Sequence, residues 1–424
     1  MGGLAVVLML VLAGCADDAP GGHRVLLVGI DGATLRVAAP LMREGRLPVL
    51  QGIGQAGVAG PLRSHLPLVS PRIWTSIATG KLPEKHGILS FAREMEGSSD
   101  VKLYLGSDRK VHALWNIVSD AGLSVGVINW WNTYPPDPIH GVIVSDHLLP
   151  SEVRGRRRLT GAAAPEPAPL IHPPEWADRV AAVLEDGRAL TGIPDPFRDA
   201  SSFPDWAKPG RLSEHTRIDE TLVRIALEVE VRLHPDLLMV FLPGIDRVSH
   251  VLWGALEGPA AKGIPWTPWQ REAGAEALRR YYEYTDALIG VLMERYGGDD
   301  LVMVVSDHGF EAGSALGGTT GMHASERALH GVIFARGRRI QPPRDREPVS
   351  VNDVTPTILA WLGLPVAADM DGKVASFLEG GAVAEVATYD TQPVARTTAA
   401  PSGAEQAIVE QLRSLGYLEP GDAP

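Results

Sequence analysis

Val25-Leu26-Leu27-Val28-Gly29-Ile30-Asp31-Gly32 decides how the rest of the chain reads. Val25–Val28 is a continuous apolar run of strand length, and it leads into an acidic residue and a glycine. The pattern recurs twice. Leu237–Leu242 leads into Asp246-Arg247-Val248-Ser249-His250, and Leu301–Val305 leads into Ser306-Asp307-His308-Gly309. Strands that are apolar throughout are covered on both faces, as in mostly parallel sheets flanked by helices. Side chains just past the carboxyl ends of such strands meet in the crevice where open α/β sheets bind ligands.

Between these strands the apolar spacing turns helical. Thr34–Glu44 reads as a helix kinked at Pro40, Val111–Ala121 as a helix before the strand Leu123–Ile128, and Ala275–Tyr296 as a long helix before Leu301. Ile218, Leu222, Ile225 and Val229 fall at helical spacing ahead of Leu237. Asp353-Val354-Thr355-Pro356 opens another helix that Gly363 ends. This alternation predicts a doubly wound α/β domain over residues 24–390, mostly parallel, with helices on both faces. Residues 151–210, with Arg154–Arg158 and a Pro/Ala-rich run, and residues 254–270 break the rhythm and read as insertions covering the carboxyl face. Residues 391–424 read as a linker and a short helix, Gln406–Leu415, with Ile408, Leu412 and Leu415 on one side.

A chain of 424 residues with 45% hydrophobic content buries a sizeable core. Its formal charge of −12 argues against a nucleic-acid-binding surface, which is normally basic. Leu4–Leu12 is too short to span a bilayer and suits the core of a signal peptide, although no Lys or Arg precedes it. It runs into Leu12-Ala13-Gly14-Cys15, which resembles the bacterial lipobox. The expectation is a signal peptide over residues 1–14, acylation at Cys15, and a polar tether over 15–23. The protein would then be an exported lipoprotein, membrane-anchored and facing the periplasm or cell exterior. Ala16 stands where an inner-membrane retention aspartate would follow the cysteine, which leans toward the outer membrane. Cys15 is the sole cysteine, so no intramolecular disulfide forms.

Asp246 and His250 lie four apart, so on a helical turn they face one way and can hold one metal ion. Asp307 and His308 are adjacent, and in a loop directly after a strand both can turn to one ion. Asp31 adds a third carboxylate. Leu68–Gly80 offers Ser70, Thr75 and Ser76 as nucleophiles, and Pro71 at a first helical position would make Ser70 the N-cap. A hydroxyl there sits beside free backbone N–H groups that stabilise phosphoryl oxygens. Capping alone would equally explain Ser70.

The runs Val28–Gly32, Ser70 through Thr79-Gly80-Lys81-Leu82-Pro83-Glu84-Lys85-His86-Gly87-Ile88, Gly244–His250, Ser306–Phe310 and Gly321-Met322-His323 resemble, in this order, the alkaline phosphatase superfamily in its type I phosphodiesterase and nucleotide pyrophosphatase branch. The resemblance implies a hydrolase of phosphoric esters. It implies one metal held by Asp31, Ser70, Asp307 and His308, and a second by Asp246, His250 and His323, with His330 as the rival to His323. The family nucleophile lies nine residues before the threonine of the Thr-Gly run, which is Ser70. Three aspartates and a serine alkoxide balance the charge of two divalent ions. Nitrogen and carboxylate donors favour zinc. In-line attack by Ser70, a phosphoserine and its hydrolysis by water would follow.

Two departures stand out. The nucleotide pyrophosphatases use threonine where this chain has Ser70, and Phe91 falls near their phosphate-contacting asparagine. With Trp130, Trp131, Trp266 and Trp269 as a possible aromatic shelf, and Arg72 as the one extra cation near the nucleophile, the balance tips toward diesters over monoesters. A sulfatase would need Pro and Arg at other offsets from its modified residue than Ser70-Pro71-Arg72 provides. A phosphomutase acts on cytosolic substrates, against the export signal. The same fold would also suit a phospho-headgroup transferase, or a catalytically silent surface protein that only binds a ligand.

Overall fold

The computed structural model describes residues 24–94, 101–149, 169–186, 190, 192–198, 203, 207, 209–257, 266–315, 319–342, 348–397 and 404–414. Cys15, the tether and the whole 151–168 stretch, with Arg154–Arg158, lie outside the described residues.

The main sheet contains β1 (Val25–Ile30), β2 (Val58–Arg63), β3 (Val125–Ile128), β4 (Gly141–Val144), β5 (Ile171–His172), β6 (Leu237–Leu242), β7 (Leu301–Val305), β8 (His330–Arg336) and β9 (Val349–Ser350). Across the sheet they run β9-β2-β8-β7-β1-β6-β3-β4-β5. The central five, β7, β1, β6, β3 and β4, are parallel. β8 runs against β7 and β2, and β5 runs against β4. β1 is at the middle, with Val28 level with Val240 on one side and Val304 on the other. The three strands that precede the Asp/His segments are therefore neighbours.

Alternation along β1 divides the core. Leu26, Val28 and Ile30 pack under the helices Leu35–Arg43, Pro48–Ala56, Pro209–Leu233, Gly244–Glu257 and Pro268–Met293. Val25 and Leu27 face the helices Ser70–Thr79, Leu114–Asp120 and Val354–Trp361. Each side chain on β1 is almost wholly removed from water, which is why the strand shows no polar alternation. The doubly wound architecture is as expected from the sequence.

Several local expectations need correction. Residues 254–257 continue the Asp246 helix, and Thr267 caps the next one through Gln270, with Pro268 in its first turn. Residues 258–265, between the two helices, lie outside the described residues. Residues 391–397 are docked rather than linking: Val394 is buried, and the Arg396 guanidinium donates to the carbonyls of Gly106 and Arg109. The C-terminal helix, Glu405–Ser414, packs Val409 and Leu412 onto Phe91 and Leu103.

Candidate active site

Three strand ends bring the carboxylates together. Asp31 follows β1, where Gly32 turns with φ +71°. A Cβ at Gly32 would lie 2.6 Å from the Phe310 ring, so glycine is required by both conformation and space. The Gly32 N–H donates to Asp307 Oδ1 (3.3 Å) and the Ala33 N–H to Ser306 Oγ (2.8 Å), tying this turn to the loop after β7. Asp246 and His250 share a face of the helix that begins two residues after β6.

His308 Nε2 lies 3.6 Å from Asp31 Oδ1 and 3.3 Å from Asp307 Oδ2. Asp246 Oδ1 lies 3.4 Å from His250 Nε2 and 3.6 Å from His323 Nε2. Donor atoms of Asp246, His250 and His323 fall within 4.8 Å of one another, as do those of Asp31, Asp246 and His308. The partition implied by the resemblance thus acquires a shared member, Asp246, because its carboxylate lies between the two groups. His330, the rival, is exposed at the start of β8.

The histidines are oriented for metal binding. Nδ1 of His250, His308 and His323 donates to the carbonyls of Gly321 (3.0 Å), Gly309 (3.0 Å) and Leu68 (3.1 Å). Each Nε2 then presents a lone pair toward the carboxylates, the tautomer that metal ligands require. Asp31 Oδ1, Asp246 Oδ1, Asp307 Oδ2 and His308 Nε2 are buried without a hydrogen-bond partner. Such acceptors crowded together are costly unless a cation lies between them. Burial, then Asp307 and Asp246, pushes the Asp31 carboxyl well above the usual range, and burial also raises Asp307. Burial opposes ionisation of Asp246 too, but His250, His323 and His308 hold it below the usual range. Burial, then His308, pushes His323 well below the usual imidazole range. The donor set fits divalent metal.

Ser70 opens its helix, with Pro71 in the first turn, and lines one cavity with Asp31 and Asp246. The cap position belongs to Val69, one residue earlier than the sequence suggests. The rival hydroxyls are engaged elsewhere. Thr75 Oγ1 donates to Pro71 O (2.7 Å), and Ser76 Oγ lies between His65 Nε2 (3.1 Å) and His86 Nε2 (3.0 Å). His86 and Lys81, from the Thr-Gly run, hold this helix in place. Lys81 Nζ bridges Asp369 and Asp390 at 2.6 Å each, and His86 is buried.

The cavity encloses about 810 Å³ of empty space, part of it open to solvent, and its wall includes Phe91, Leu103, Trp131, Phe241, Arg247, Ile408 and Leu412. Phe91 and Trp131 are thus at the site. Trp130 is sealed in the core edge-on to Trp74, Trp266 packs beside Gly274, and Trp269 is exposed, so these three supply no shelf. Arg72 is not among the lining residues; its guanidinium is 3.7 Å from Glu84, because its position on the helix points it toward the Pro83–His86 turn. The cation at the cavity is Arg247, which sequence reasoning passes over although it follows Asp246 directly. Burial lowers its pKa, with Asp219 and Asp246 opposing. Asn129 and Asn132, both at positive φ (60° and 57°), also reach the cavity from the loop after β3. Asparagine tolerates that conformation, which is the only signal the sequence carries for them.

A sequence model of the type I phosphodiesterase / nucleotide pyrophosphatase family matches residues 25–330. No curated protein matches by sequence search. Among solved structures, the alkaline phosphatase PafA aligns at 12% identity and TM-score 0.53, covering 86% of this chain and 100% of that one. Human ectonucleotide pyrophosphatase / phosphodiesterase 5 aligns at 13% identity and TM-score 0.51, covering 84% and 100%. Phosphonoacetate hydrolase from Sinorhizobium meliloti aligns at 18% identity and TM-score 0.43, and this chain spans only 58% of its length, against 69% of its own. The likenesses to PafA and to phosphodiesterase 5 establish a common fold. The family match covers well over half of the chain, from β1 to the start of β8, and the protein therefore belongs to the type I phosphodiesterase / nucleotide pyrophosphatase family.

Proposed function

We propose that the protein is a two-metal phosphodiesterase with Ser70 as its nucleophile. The observation that carries this reading is the set of buried, unpartnered donors on Asp31, Asp246, Asp307 and His308, two of which, Asp31 and Asp246, line one cavity with Ser70. Two divalent ions, most simply zinc, would neutralise the phosphoryl oxygens and lower the pKa of the serine hydroxyl. Asp31, Ser70, Asp307 and His308 would hold one, His250 and His323 the other, with Asp246 between them. Ser70 Oγ forms the bond to phosphorus as the bond to the leaving alcohol breaks. Water then cleaves the phosphoserine and restores the hydroxyl. A diester carries one negative charge fewer than a monoester and needs room for a second substituent, which the apolar wall provides. Arg247 favours the competing monoester reading, because a cation at the cavity can offset the extra charge.

Ser70→Ala should lower turnover by about three to six orders of magnitude, as loss of a covalent nucleophile does elsewhere. Thr75→Ala and Ser76→Ala should keep most activity, since Thr75 Oγ1 donates to Pro71 O, Ser76 Oγ pairs with His86, and neither residue lines the cavity. Acid quenching and peptide mapping should find phosphate on Ser70. Phosphate on Thr75 would overturn the assignment.

We also propose export and acylation at Cys15. Among the described residues no helix is long and apolar enough to cross a membrane, so anchoring would rest on acyl chains. Cys15→Ser should move the protein out of the lipid-modified membrane fraction. A wild-type protein that is unlipidated in a bacterial host refutes this reading.

A further inference from the structure

The apolar wall of the cavity is assembled from parts distant in sequence. Phe91 and Leu103 belong to the hairpin built on Ala92–Glu94 and Val101–Leu103. Trp131 and Phe241 come from segments near the ends of β3 and β6, and Ile408 and Leu412 come from the C-terminal helix. Trp131 sits edge-on to Phe91 (centroids 5.7 Å apart) and to Phe241 (6.1 Å). On the C-terminal helix, Ile408 and Leu412 are one turn apart and share a face. Val409 and Leu412, 2% and 4% exposed, fasten that face to Phe91 and Leu103.

We infer that the C-terminal helix is a specificity element, whose Ile408 and Leu412 complete a compartment for an apolar, preferably aromatic, substituent on the phosphoryl group. This rests on the phosphodiesterase reading and adds the substrate class to it. Asp31, Ser70 and Asp246, which would receive the phosphoryl group, line the same cavity as these six apolar side chains. A substituent on the phosphorus must extend from Ser70 into the space they bound. An apolar group gains by burial against these six side chains. Aromatic groups gain further from the edges and faces of Phe91, Trp131 and Phe241.

The test uses full-length, metal-loaded protein and two inert monoanionic probes, dimethylphosphinate and methyl(phenyl)phosphinate, titrated by calorimetry. The phenyl probe should bind at least about tenfold more tightly, the scale of discrimination expected from filling an apolar pocket. Leu412→Ala and Ile408→Ala should each narrow that ratio severalfold, and Ile408→Phe, which fills the space, should narrow it even if Leu412→Ala fails to fold. Gln406→Ala, on the exposed side of the helix, should leave the ratio unchanged. The kcat/KM ratio for phenyl against methyl 4-nitrophenyl phosphate should follow the same order. Equal binding of the two probes, or a ratio indifferent to both Ile408 variants, overturns the inference. Tight, variant-sensitive binding of the phenyl probe with no turnover of either ester upholds it and overturns the hydrolase reading instead.

Discussion

Asp31, Asp246 and Asp307 leave the carboxyl ends of three adjacent parallel strands, whereas Phe91, Trp131, Ile408 and Leu412 reach the cavity lined by Asp31 and Asp246 from a hairpin, a turn and a terminal helix. The first group is held by the sheet itself. Its backbone positions follow from the pairing of β7, β1 and β6; the Gly32 N–H donates to Asp307, and backbone carbonyls orient the neighbouring His250 and His323 rings. The second group is held by side chains packing on one another. Chemistry that must be placed to within a fraction of an ångström is built on the rigid element, and contacts that select a substituent are built on parts that can vary.

The comparison is sharpest at Asp246, the carboxylate common to both donor groups. Asp246→Ala should cost both metal ions and essentially all activity. His250→Ala should cost one ion only, because the donors of the other, Asp31, Asp246, Asp307 and His308, remain. Elemental analysis of the two purified variants, alongside wild type before and after reversible chelation, measures this. Loss of a single ion in Asp246→Ala would separate the two groups and restore the partition implied by family resemblance. Replacing Leu412, on the other wall, should leave the ion count untouched.

The same division explains what is legible in the sequence. β6 and β7 are readable to the residue, because a strand buried on both faces must be apolar throughout and stops where polar chemistry begins. The i, i+4 spacing of Asp246 and His250 is a local property, and local properties survive in sequence. β2, Val-Ala-Gly-Pro-Leu-Arg, has no apolar run and escapes a sequence reading, since only Val58 and Leu62 are buried in it. The C-terminal helix is legible from its periodicity, but its place at the cavity is not. An amphipathic pattern announces that a face is covered without saying by what. The tryptophans mislead for a related reason. Size and aromaticity do not distinguish Trp131 at the cavity from Trp130 in the core or Trp269, which is 61% exposed.

The smallest effects expected lie with two arginines, and they decide how the walls share the work. Arg72 follows the nucleophile by two residues, which makes it the extra cation that sequence alone selects. Its guanidinium is directed to Glu84, outside the cavity lining, so Arg72→Ala should change kcat/KM within about twofold, as for a solvent-screened surface pair. Arg247 lines the cavity beside Asp246 and near the buried Asp219. A guanidinium that meets a phosphoryl oxygen in a water-poor site contributes a strong, charge-assisted hydrogen bond. Arg247→Ala should therefore lower kcat/KM by about ten- to a hundredfold, with Arg247→Lys recovering part of it, because lysine keeps the charge without the planar fork. Measuring both variants on matched aryl monoester and diester substrates separates the readings. If the enzyme is a diesterase, Arg247→Ala lowers both rates together and the diester stays ahead. A wild-type preference for the monoester that collapses only in Arg247→Ala would mean that the cation, and not the apolar wall, sets the substrate. The same collapse in Arg72→Ala would mean that the Ser70 helix turns its first polar face to the phosphate, against the Arg72–Glu84 geometry of the folded chain.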